Sequence, residues 1–432
     1  MTGTESRTIK VGALARVEGE GALDIKIRDG VVTWTKFRIH EPPRFFEALL
    51  RGRMFWDAPD TTSRICGICP IAYILSASKA MEDALGVRVS EPIENLRRLV
   101  YCGEWIQSHV LHAAMLHAPD FLGLDDALSL ADTDPELLKD ALALKAVGNQ
   151  IMQVVGGRPV HPVNLKVGGF FSAPSRADVR ELIAPLERGL DKAMALTRRF
   201  SRFAFPDFEA DYSFVSLACD GAYPLEAGRV VRSNGLEILV DQFLDHFEED
   251  QSRHSNALTS TTRAGEPYLV GPLARYANNF ACLSPRARAR AEEAGLKDVC
   301  RNPYKSLLVR MIEVVYACEE ALRLAESYEA FDPACIDITP GPGTGHGATE
   351  APRGICYHRY ALDDDGRIIT ATIVPPTAQN QLQIEADLRA VVESHLHFDD
   401  EQLKLRCEQT IRNYDPCISC ATHAIRVHID RD

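Results

Sequence analysis

Two Cys-x-x-Cys pairs stand near opposite ends of the chain: Cys66 and Cys69 in Arg64-Ile65-Cys66-Gly67-Ile68-Cys69, and Cys417 and Cys420 in Asp415-Pro416-Cys417-Ile418-Ser419-Cys420. His423 follows three residues after the last of them. Thiolates are soft ligands that select nickel, iron, copper(I) or zinc over magnesium or calcium. One such pair alone is weak, because it reads equally well as structural or incidental. A thioredoxin-type redox pair needs a strand and a βαβ unit around it, and neither pair has one. A zinc ribbon uses two pairs, but spaced roughly 15 to 20 residues apart. Here 348 positions separate Cys69 from Cys417. Four thiolates that meet only when the whole chain folds back on itself describe a metal at the centre of a large domain, and that points to a catalytic metal.

The flanks add chemistry. Pro70 follows Cys69, and Tyr73 to Leu85 reads as a helix closed by Gly86. The first pair then sits at a helix N-terminus, whose partial positive charge is expected to lower the thiol pKa values. Asp415-Pro416 predicts an extended approach to Cys417 and leaves the Asp415 carboxylate beside the sulfurs as a hydrogen-bond acceptor.

The elements that must carry these residues are mostly helical. Ala22 to Ile27 alternates, Asp29-Gly30 is a hairpin signal, and Val31 to Ile39 returns as the partner strand. Long helical patterns follow over about 91–117, 137–155, 177–202, 236–256 and 304–328, with apolar stripes suited to a bundle around one core. The predicted fold class is therefore mainly α: a long-helix bundle around a central metal site, with a small N-terminal antiparallel β portion and peripheral irregular segments. Residues 1–423 are expected to form one interwoven catalytic domain whose first 40 residues are β-rich. The Gly341 to Gly347 stretch lacks the Gly-Lys-Ser/Thr ending of a phosphate loop. It is expected to let backbone approach the metal before Arg353.

Composition sets limits. A net charge of −13 disfavours nucleic acid, whose phosphates need clustered Lys and Arg. No run approaches the roughly 20 apolar residues of a membrane span, and Met1 to Lys10 is polar rather than a signal peptide, so a cytoplasmic protein is expected. Cys102, Cys219, Cys282, Cys300, Cys318, Cys335, Cys356 and Cys407 lack metal-ligand spacing and read as small buried apolar residues.

Arg-x-Cys-Gly-x-Cys early and Asp-Pro-Cys-x-x-Cys-x-x-His late resemble the large subunit of nickel-iron hydrogenases. Arg16 to Glu20, Pro43 to Arg53, Tyr268 to Arg275, Glu350 to Gly354 and Val374 to Asn380 carry the same resemblance along the chain. It is most like the soluble multi-subunit branch, the NAD(P)-linked enzymes and sulfhydrogenases. The resemblance implies that Cys66 and Cys417 are terminal nickel ligands, while Cys69 and Cys420 bridge nickel to an iron carrying carbon monoxide and cyanide. It puts Arg353 over the open face of the nickel, with Pro352 and Thr377 lining the pocket of the diatomic ligands. It makes Glu18 the proton partner of Cys417, and Glu47 and His423 ligands of a magnesium ion. Ser108 and Glu20 depart from the family pattern: a carboxylate near the arginine is missing at Ser108, so the roles of His109 and His112 stay open.

The activity implied is reversible heterolytic cleavage of dihydrogen. Electrons would leave to an iron-sulfur small subunit, and onward through diaphorase-type subunits carrying FAD and further iron-sulfur clusters to NAD(P). Maturation proteins would install the metals. A C-terminal endopeptidase would then remove residues 424–432, although Ile425, Val427 and Ile429 also alternate as an edge strand would. The alternatives are a metal-free structural and coupling subunit of a related redox complex, and a zinc-stapled scaffold.

Overall fold

The computed structural model describes residues 6–424; the tail from 425 onward, which carries most of the segment expected to be removed, lies outside the described residues. The predicted hairpin forms as Gly21–Arg28 and Val31–Ile39, with Ser6–Val11 added on the other edge of Gly21–Arg28. Asp29 and Gly30 both take positive φ, 51° and 73°, as a two-residue turn matched to the twist of antiparallel strands requires.

Helices hold 47% of the residues and strands 19%, so the α-dominated expectation stands at that level. The strands are not confined to the N-terminus, however. Among the described residues, five small antiparallel sheets are distributed along the chain. Four long helices, Glu91–Val110, Pro135–Gly156, Ile183–Phe200 and Ser306–Glu326, pack on one another, and their inward stripes form the main core. The pattern expected to run on to residue 117 does so through a π-helical turn, Leu111–His117.

Two expectations are corrected. Residues 236–256 form no long helix: Glu237–Ile238 pairs as a strand, Phe243–His246 is one helical turn, and Phe247–Gln251 is a strand. The apolar spacing that suggested a helix instead puts Phe243 and Phe247 under Tyr357 and Tyr268 in a second, smaller core. The glycine-rich stretch is also not a loop beside the metal. Gly343–Ala351 is a strand, and Gly343, Gly345 and Gly347 press one face of it against the Pro70–Ala84 helix. A Cβ on these glycines would lie 2.0 Å from the carbonyl oxygen of Ala84, 2.1 Å from that of Ala80 and 2.3 Å from that of Ser76. Only hydrogen fits, so the period-two glycines are the seat of the helix that carries the first cysteine pair.

Candidate metal centre

The Pro70–Ala84 helix begins one residue after Cys69, and Cys417 is the residue before the short helix Ile418–Ala421. The four sulfurs converge, all within 4.8 Å of one another and all buried. Cys66 and Cys417 stand 3.3 Å apart, Cys69 and Cys420 3.7 Å, and Cys417 and Cys420 2.9 Å. Among the described residues no other group of metal-ligating side chains converges in this way.

Four thiols in one buried space cannot all ionise without a cation. Hydrogen bonds from Cys417, Cys420 and Cys69 pull the Cys66 thiol well down, while burial and neighbouring sulfurs hold Cys417 and Cys420 up. At Cys69 a hydrogen bond to Cys417 lowers the pKa, but Cys420, Cys66 and burial outweigh it. The lowering expected for the first pair is therefore seen at Cys66 and not at Cys69, where Cys420, Cys66 and burial prevail. A soft divalent cation is what would let all four lose their protons.

Arg353 is not in an irregular segment. It is the second residue of the two-residue turn between Gly343–Ala351 and Gly354–Leu362, whose last pair is Ala351 with Gly354. Its Nε donates to the Asp415 carbonyl at 2.7 Å, its Nη2 lies 2.9 Å from the Asp415 carboxylate, and its Nη1 donates to Ser108 Oγ at 3.3 Å. Burial opposes the charge on Arg353, but Asp415 and the sulfurs of Cys417, Cys69 and Cys66 hold its pKa well above the usual arginine value. Asp415 is not extended either. Its φ is 52°, a left-handed conformation that costs roughly 1 to 2 kcal/mol away from glycine, and the bonds from Arg353 to its backbone and side chain offset that cost. Arg353 thus has one carboxylate partner, Asp415, and a hydroxyl at position 108.

Thr377 Oγ1 accepts from the backbone N–H of Cys417 at 3.0 Å. The Pro352 carbonyl accepts from Arg275 Nη2 at 2.9 Å. Glu18 is tied to the second pair by backbone and side chain: it bridges Cys417 as an isolated parallel β-pair, and its Oε2 accepts from Ser419 N at 3.0 Å. Burial and then the charge on Cys66 push its carboxyl up, and its side chain is within hydrogen-bonding reach of Cys417. Glu20 is exposed, as a strand-edge residue would be.

Glu47 and His423 meet at 3.5 Å, and His423 Nδ1 bonds the Cys420 carbonyl at 2.8 Å. Burial opposes protonation of His423, but Glu47 outweighs it and holds the imidazole above its ordinary pKa. A cation would take the same place between the two side chains. Glu47 is not the free surface carboxylate its apolar helix could have suggested, since its Oε1 also accepts from Ile373 N at 2.8 Å. The other scattered cysteines are free thiols. Five are buried, but Cys219, Cys282 and Cys335 are only partly so and correct the expectation of uniform burial.

Several residues around the site had no cysteine or histidine spacing to announce them. Arg275, fully buried, donates to Glu313 and Glu350 and to the carbonyls of Ala351 and Pro352, so it fixes the turn that carries Arg353. His109 is spent on the same network, 3.0 Å from Glu313, and burial lowers it to about 4. His112 bonds the Arg412 carbonyl at 2.8 Å. Arg44 bonds the carbonyls of both Ile65 and Ser419, one beside each cysteine pair. Arg44 and Arg275 lie in sequence segments that the family resemblance had already marked; Glu313 had no signal at all.

Comparison with known proteins agrees with this geometry. The family described as nickel-dependent hydrogenase matches residues 44–139 and 242–423. Sulfhydrogenase 1 subunit alpha of Pyrococcus furiosus is 34% identical over 426 residues, which cover 97% of this chain and 98% of that protein. The NAD-reducing hydrogenase HoxS subunit beta of Cupriavidus necator is 30% identical, covering 97% of this chain and 95% of that one. A crystal structure of an NAD+-reducing NiFe-hydrogenase in its H2-reduced state superposes with a TM-score of 0.88 at 27% identity, covering 96% of this chain and 99% of that one.

Proposed function

The chain belongs to the nickel-dependent hydrogenase family as its catalytic large subunit, and from that premise we propose which of its residues do the work and which carrier it serves. The observation that carries the reading is the meeting of four buried sulfurs from both ends of the chain, with Arg353 and Glu18 beside them. Cys66, Cys69, Cys417 and Cys420 would hold a nickel-iron centre, Cys66 and Cys417 serving the nickel alone and Cys69 and Cys420 serving both metals. When bound, that centre supplies heterolytic cleavage of dihydrogen and accepts its electrons.

The chain's own groups then have separate tasks. Arg353 stays charged at every working pH, so it presents a fixed positive field beside the sulfurs and moves no proton itself. Asp415 and Ser108 hold its plane. Glu18, near Cys417 and with its pKa pushed up by burial and then by Cys66, takes the proton from that sulfur and releases it outward. Glu47 and His423, 3.5 Å apart, would hold a magnesium ion beside the C-terminal segment. Electrons would pass to an iron-sulfur partner subunit and on through flavin subunits to NAD(P); the names of the NAD-reducing relatives support NAD as the carrier. No helix among the described residues is long and apolar enough to cross a membrane, which goes with a cytoplasmic complex.

Metal analysis with infrared spectroscopy of the assembled enzyme tests the reading. One nickel and one iron per chain, with bands of metal-bound carbon monoxide and cyanide, are expected. Zinc alone and no such bands, after expression with the maturation machinery, would overturn it.

A further inference from the structure

The Pro70–Ala84 helix has an unusual start. Its N-cap residue is Cys69, which makes no side-chain capping bond because its sulfur is turned to the other cysteines. Helix N-termini leave the first N–H groups without partners, and an N-cap Ser, Thr, Asp or Asn ordinarily satisfies those of the second and third residues. Here Pro70 has no N–H, and those two residues are Ile71 and Ala72. Both are served from another helix: Glu104 Oε2 accepts from Ile71 N at 2.6 Å and Oε1 accepts from Ala72 N at 3.2 Å. Glu104 lies on Glu91–Val110 and is fully buried.

Two neighbours on the same face of that helix act on the same region, being three and four residues further on. Gln107 Nε2 donates to the carbonyl of Ile68, between the two cysteines, at 2.6 Å, and Ser108 accepts from Arg353. Four helical residues span about 6 Å. One rigid face thus touches the start of the helix behind Cys69, the turn between Cys66 and Cys69, and the arginine opposite them. A carboxyl group is an expensive polar group to bury merely to fill space, and this one is directed at two N–H groups that Cys69 cannot cap.

We infer that Glu104 is the positioning residue of the first cysteine pair, a cap supplied in trans, and that with Gln107 and Ser108 it makes the Glu91–Val110 helix a ruler fixing that pair relative to Arg353. Glu104→Gln keeps the shape but offers one acceptor and a clashing NH2 in place of two acceptors. Gln107→Leu removes the Ile68 bond without leaving a charge. This inference rests on the hydrogenase reading, and the test uses the assembled, matured enzyme. Nickel retention under chelator challenge, the infrared band of the iron-bound carbon monoxide and the unfolding midpoint are measured together, with Asn95→Ala, exposed on the same helix, as control.

Both variants are expected to shift the carbon monoxide band and to lose nickel about fivefold faster, the scale of one buried hydrogen bond; the control matches the unaltered enzyme. A metal-free Glu104→Gln chain with native helicity and midpoint supports the inference too, because only the turn has then failed. If Glu104→Gln does not fold, Gln107→Leu decides. Unmoved bands and unchanged retention in the variants overturn the inference, whereas no bands in the unaltered enzyme would defeat the hydrogenase reading instead.

Discussion

Glu18, half-buried, and Glu350, fully buried, are both carboxyls pushed above their ordinary range, yet their surroundings give them different work. Glu18 stands beside Cys417 and accepts from the Ser419 N–H. Glu18→Gln is therefore expected to keep nickel, iron and the fold while slowing proton-deuterium exchange on H2 by at least about a hundredfold, the lower end of general acid-base effects; an unchanged exchange rate would remove Glu18 from the proton path. Glu350 faces Arg275, whose guanidinium it shares with Glu313. Burial opposes ionisation of both carboxyls, and Arg275 wins at Glu313, which falls to about 2, but not at Glu350, which stays up at about 7. The folded chain therefore holds the Glu350 proton more tightly than the unfolded chain does. The stability that Glu350 contributes is present below its unfolded value of 4.5 and declines as pH rises toward 7. Thermal unfolding of Glu350→Gln is expected to depend less on pH between about 5 and 7 than that of the unaltered chain.

At the scale of elements, the site depends on how closely one helix lies on one strand. The glycine face of Gly343–Ala351 sets the height of the Pro70–Ala84 helix, and the same strand ends at the turn that carries Arg353. A methyl group at position 345 would meet Ala80 and Ala84 backbone at 2.1 and 2.2 Å, atoms that no rotamer change can move. Gly345→Ala is expected to cost about 3 kcal/mol or more in chemical denaturation, beyond the typical overpacking range, and to lower nickel content although residue 345 touches no ligand. Equal stability and full nickel would show that the helix can rise off the strand without disturbing the cysteines.

The whole molecule is closed by its C-terminal segment. Thr422 and His423 accept backbone bonds from Arg44 and Phe46, and His423 is fully buried. The chain at 422–423 is thus held inside the fold. We propose that residues 424–432 are removed from the active enzyme, which would make metal insertion effectively irreversible. Intact-mass measurement of the purified, active complex is expected to give a large subunit ending at His423. Full activity from a subunit still ending at Asp432 would refute the cut.

The sequence by itself determined which four cysteines could gather at one metal, since soft-metal chemistry and the wide separation of two Cys-x-x-Cys pairs admit few other uses, and these four sulfurs do converge. It also determined the hairpin at Asp29-Gly30 and most of the long helices, whose signals are local periodicities and turn residues. Tertiary structure alone decided what those signals do not carry. Phe243 and Phe247 have helical spacing, but their burial under Tyr357 and Tyr268 made strand and turn the better packing. The alternate glycines at 343, 345 and 347 read as loop because only the approaching helix explains why a side chain is forbidden there. Asp415 pairs with Arg353, 62 residues away, and Glu104 caps a helix 32 residues earlier in sequence. Such partnerships are long-range and cost no recognisable spacing, so they become visible only when the chain is folded.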